Sequence, residues 1–95
     1  MFRIQTTKVI GGEAVSVPIL TVDSRKTADA KLAELVADCE SEFNEPIMRN
    51  VGGWAEIFLQ SCDSIFGDGA SDIAHITIKR PLHSPKAMVH RRDFE

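Results

Sequence analysis

Four carboxylates, Glu34, Asp38, Glu42 and Glu45, recur at steps of four, four and three residues. On a helix this spacing stacks them along one side. Such a stripe suits a cationic surface. Like charges at this spacing cost a helix roughly 0.2–0.5 kcal/mol per pair. The stripe is therefore either a solvated face, partly neutralised by Lys31, or a surface selected for a basic partner. Four helical residues rise about 6 Å, against about 3.4 Å between phosphates of a DNA strand. The stripe imitates a phosphate row only approximately.

A second constellation is Arg49-Asn50-Val51-Gly52-Gly53. If a helix begins at Asn50, its free amides, Gly52, Gly53 and the Arg49 side chain would receive an anion. The plainer alternative is an N-cap and a helix start packed closely on a neighbour. His75, His83 and His90 are candidate metal ligands, but no Cys-x-x-Cys or His-Glu-x-x-His spacing accompanies them, so no metal or cofactor is expected. The loop from Asp68 to Asp72 lacks the alternating oxygen ligands and terminal Glu of a calcium loop. Ser61, Ser64 and Ser71 have no base nearby in the sequence, and nothing selects His75 and a helix carboxylate as an acid–base pair. No catalytic residue is assigned, and the chain reads as non-catalytic.

The elements that must position these groups follow from periodicity. Ala28, Leu32, Leu35, Val36, Cys39 and Phe43 recur at helical spacing beside the carboxylates. They predict a first helix from about Arg25 to Phe43, capped by Asp23 or Ser24 and stopped before Pro46. Phe2 to Ile10 alternates as a strand. Gly11-Gly12 predicts a hairpin with Ile10 opposite Glu13, Lys8 opposite Val15, Thr6 opposite Val17 and Ile4 opposite Ile19. Pro18 implies an outer edge or a bulge there.

Met48, Val51, Trp54, Ala55, Phe58, Leu59, Cys62, Ile65 and Phe66 suggest a second helix starting at Pro46 or Asn50. It ends near Phe66 with Gly67 as its stop, and leaves Ile57 exposed. Leu35, Cys39, Trp54, Phe58 and Ile76 are the expected core. Ile73 to Arg80 reads as a third strand with Ala74, Ile76 and Ile78 inward, most simply beside the first. The expected fold is α+β, in the order ββααβ: a small antiparallel sheet of three strands, or four, with two amphipathic helices on one face. Residues 1–85 form one compact domain, and 86–95 a basic C-terminal tail or short edge strand.

Length and charge bound the function. The chain has 95 residues, enough for one modest core. Residues 1–72 carry 6 Lys and Arg against 12 Asp and Glu, while residues 73–95 carry 5 against 2. An acidic body argues against direct nucleic-acid binding, which needs a basic surface. No apolar run follows a basic start and none is long enough for a membrane, so a cytoplasmic protein is expected. In that compartment Cys39 and Cys62, both on apolar faces of expected helices, should be reduced and buried. A disulfide between the helices is the alternative.

The expected function is a protein-binding module that engages a basic partner, such as a nucleic-acid-binding complex, through the acidic helix face. Small inhibitors of the anti-CRISPR or immunity type offer an analogy of size and charge alone. The alternatives are a self-associating structural subunit or homodimer, an accessory factor working through Lys86, Arg91 and Arg92, and a small enzyme.

Overall fold

The structure, a computed structural model, describes residues 1–64, 66 and 68–94. Ile65 and Gly67, assigned above to the end of a second helix, lie outside the described residues. Phe2–Ile10 forms β1 and returns through Gly11-Gly12 as β2 (Glu13–Val15), with Ile10 opposite Glu13 and Lys8 opposite Val15. Both glycines hold positive φ, 59° and 80°, as a primed two-residue turn requires.

Past Val15 the expected register fails. In β3 (Leu20–Val22) it is Leu20, not Ile19, that stands opposite Ile4. One extra residue enters around Pro18, which has no N–H to donate. Side chains alternate along a strand, so a one-residue insertion exchanges its faces. Leu20 and Val22 pack against the core, and Ile19 is left 55% exposed.

The first helix, α1, spans Arg25–Phe43. Ser24 caps it, its Oγ accepting the Thr27 N–H at 3.1 Å. Ala28, Leu32, Cys39 and Phe43 are buried beneath it, with Leu35 and Val36 partly covered. Its last turn contains no basic residue. The cation that suits a helix C-terminus comes from elsewhere. Arg80, only 1% exposed, donates from Nη1 to the Phe43 carbonyl at 2.7 Å and from Nε to the Ser84 carbonyl at 2.9 Å.

The expected second helix is mostly a strand. Among its described residues only Met48–Val51 is helical (α2), and Gly53–Ser61 forms β4. Gly52 ends the helix at φ 73° and ψ 163°, a conformation that favours glycine. From there Ala55, Ile57 and Leu59 alternate inward while Trp54, Glu56, Phe58 and Gln60 face away. Ile57 is 0% exposed, the reverse of its expected place. Trp54, expected in the core, is 38% exposed, and Phe58 is only partly covered. Cys62 lies past the end of β4, not on a helix. A short apolar run fits either period, and here the sheet offers β4 a partner on each side.

β5 (Ser71–Arg80) pairs with β4, and β6 (Met88–Asp93) pairs with β5. The last segment is thus an edge strand. The six-stranded sheet is antiparallel throughout, in the order β2–β1–β4–β5–β6, with β3 beside β2 along β1. β4, not the strand after it, takes the place beside β1. The α+β class stands, with six strands and one main helix among the described residues where three or four strands and two helices were expected. Ala74, Ile76 and Ile78 of β5 are buried, as their alternation implies. They join Ile4, Ala55, Ile57 and Leu59 in a core covered by α1. The opposite face of the sheet bears Trp54, Phe58 and His75, the last two stacked with ring centroids 4.1 Å apart.

Candidate functional site

The acidic stripe is real in geometry but uneven in charge. Glu34, Asp38 and Glu42 lie along one flank of α1, with Asp38 and Glu42 beside β1, and Glu45 follows in the turn after the helix. Glu42 is half buried and ion-paired with Lys8 of β1. The Glu34 carboxylate lies 3.9 Å from the Lys31 ammonium. Asp38 and Glu45 are exposed, and their carboxylates have no ion-pair partner among the described residues. Glu40 is also exposed, but helical spacing sets it on the opposite flank.

Between this flank and the sheet runs a cleft of about 160 Å³, lined by Thr6, Lys8, Leu35, Asp38, Cys39 and Glu42 among others. Asp38 and Glu42 supply its negative charge, and Lys8 already places one ammonium there. The Thr6 hydroxyl oxygen is buried without a hydrogen-bond partner among the described residues. A buried polar atom left without a partner is costly to the fold. Sequence periodicity located the carboxylates, but the cleft depends on β1 lying under α1.

Cys39 also lines this cleft. Burial pushes its thiol above the ordinary value of 9.0; Lys8 opposes that shift and Glu42 adds to it. The thiolate is the reactive form, so this cysteine is held inert. Cys39 and Cys62 are both free and buried. Neither should react appreciably with a thiol reagent at pH 8 in the folded protein, and both should react at once in denaturant. Rapid labelling of Cys39 in native buffer would contradict its placement.

The helix start at Asn50, on which the anion site expected at Arg49, Asn50, Gly52 and Gly53 depends, is not formed. The α2 turn begins at Met48, so Asn50 sits inside it and does not cap it. The amides of Arg49 and Asn50 donate to the carbonyls of Pro46 and Ile47, and that of Gly52 to Met48. Gly52 closes the helix where an anion site needs its start. Among the described residues, no three His, Cys, Asp or Glu side chains gather as a metal site, and no serine or cysteine is hydrogen-bonded to a histidine. His75 lies 3.8 Å from Glu56 across the open sheet face.

The same glycines instead border a recess that the sequence did not disclose. It measures about 490 Å³ and opens at the end of the sheet where Gly53 pairs with Arg80. Val9, Val51, Trp54, Pro81 and Leu82 line it, with Lys79 beside them. Gly52 leaves it open: a Cβ there would sit 3.3 Å from the Arg80 carbonyl oxygen and 3.4 Å from Leu82 Cγ. Its lining comes from three separate stretches of chain, around residues 9–12, 51–54 and 79–82, so no local pattern could mark it.

Among the described residues, no helix is long and apolar enough to cross a membrane. Comparison of the chain with protein-family models, with curated proteins and with solved structures finds no match.

Proposed function

We propose that the protein is a non-catalytic binding module that engages a basic protein partner through the acidic flank of α1. A component of a nucleic-acid-binding complex suits it best, because such surfaces carry clustered Lys and Arg, and inhibition of that component is the natural consequence. The observation that carries this reading is the cleft between α1 and β1. It has the Asp38 carboxylate, without an ion-pair partner among the described residues, beside the Glu42 carboxylate that Lys8 already holds. A guanidinium or ammonium from a partner would find the Asp38 carboxylate at the rim. The stretch from Leu32 to Glu45 reinforces this, with five carboxylates and no Lys or Arg.

A matched pair of reversals on one helix tests the reading. Asp38→Lys and Glu40→Lys change the net charge equally but act on opposite flanks. Proteins captured by the immobilised chain from a cell extract should be basic, should be released by salt, and should be lost with Asp38→Lys alone. The loss should fall mainly on the association rate, by roughly tenfold or more at low salt, because steering is screened as salt rises. Equal capture by both variants, or capture indifferent to salt, would remove the acidic flank as the binding surface.

A further inference from the structure

The recess at the Gly53–Arg80 end of the sheet has a counterpart at the other end of the same hairpin. β4 and β5 run antiparallel from the Gly53–Arg80 pair to the Ser61–Ser71 pair. At about 3.3 Å per residue the eight steps of β4 set these ends about 26 Å apart. Beyond the Ser61–Ser71 pair stands Phe66, 83% exposed. Around the recess, Trp54 and Leu82 are 38% and 58% exposed. An exposed aromatic and an open apolar recess of ligand size therefore face away from each other on one molecule.

Their charges are complementary. Residues 62–72 contain Asp63, Asp68 and Asp72 and no Lys or Arg. Residues 47–54 and 79–86, which frame the recess, contain Arg49, Lys79, Arg80 and Lys86 and no Asp or Glu. Arg80 is spent on the end of α1, but Arg49, Lys79 and Lys86 are exposed. Glu13, beside Gly12, is the one carboxylate next in sequence to a lining residue.

We infer that the protein self-associates head to tail, Phe66 of one copy entering the Trp54–Leu82 recess of the next, with Asp63, Asp68 and Asp72 against Arg49, Lys79 and Lys86. The two surfaces differ, so the contact is heterologous and propagates as an open chain or closes as a ring. Its area is that of one hairpin tip in one recess. The association is therefore weak and reversible, at the low end of specific interfaces. It uses neither Asp38 nor the α1 cleft and stands independently of the reading above.

Sedimentation of the full chain up to about 1 mM, the range in which weak contacts populate, tests this. The weight-average mass should climb with concentration and fall as salt is added. Phe66→Asp and Leu82→Glu, both at exposed positions, should each weaken association at least about tenfold, with circular dichroism unchanged. Leu82→Ser substitutes for Leu82→Glu should the latter disturb folding.

The two lesions lie on different surfaces, so an equimolar mixture has one intact contact. It should recover a dimer of one copy of each variant that grows no further. A wild-type chain that stays monomeric throughout, a Phe66→Asp chain that assembles like wild type, or a mixture that remains monomeric would each overturn the inference.

Discussion

Ile57→Asp should abolish cooperative folding, while Phe58→Asp leaves a folded protein with a lowered melting temperature. Ile57 is fully buried beneath α1, opposite Thr6 on one side and Ile76 on the other. Removing an isoleucine side chain from such a site costs about 2–5 kcal/mol. A carboxylate left there without a partner adds several kcal/mol more. That approaches or exceeds the roughly 5–15 kcal/mol by which a domain is stable. Phe58 occupies the face turned away from α1, partly covered and stacked on His75. Its carboxylate can reach water, so the cost should be about 1–3 kcal/mol. Urea unfolding of the two variants measures the contrast. A helix over residues 50–66 would reverse it, because Phe58 would then be core and Ile57 surface.

Removal of residues 86–95 should destroy cooperative melting as well. The sequence leaves the segment as a basic tail or a short edge strand, and β6 pairs with β5 from the Ala74–Asp93 match to the Lys79–Met88 match. Ala87 is buried, and its N–H donates to Asn44 Oδ1 at 2.8 Å, tying the strand to the C-cap of α1. Without β6, one edge of β5 would present a row of unpaired N–H and C=O groups, a template for aggregation. Ile76 and Ile78, buried in the intact sheet, would lose cover on that side. Truncation after Pro85, followed by thermal melting and light scattering, should give a broad, weak transition with aggregation. A sharp transition near that of the full chain would show β6 to be dispensable.

Both outcomes turn on residues whose roles are decided far from them in sequence. The acidic stripe shows the same split at the level of function. Spacing alone set Glu34, Asp38 and Glu42 along one flank of α1. Which of them remains unpaired depended on Lys8, a residue of β1 that reaches Glu42 and leaves Asp38 alone. The missed recess is the extreme case, since Gly52 marks it only once Arg80 and Leu82 are known to stand 3.3 and 3.4 Å from the space a side chain would need.

By itself the sequence determined what local physics settles. An N-cap at Asp23 or Ser24, an apolar stripe from Ala28 to Phe43 and Pro46 beyond it bound α1. Gly11-Gly12 between alternating segments determined the first hairpin and its first pairs. Tertiary structure decided the rest. Residues 53–61 carry both periods, and they became a strand because β1 and β5 satisfied their backbone on both sides. The bulge near Pro18 exchanged the faces of Ile19 and Leu20. Arg80, unremarkable in sequence, became the buried cation at the end of α1. A hydrogen bond to a residue 37 positions away cannot be read from its neighbours. Its free energy appears only when the intervening chain has already folded.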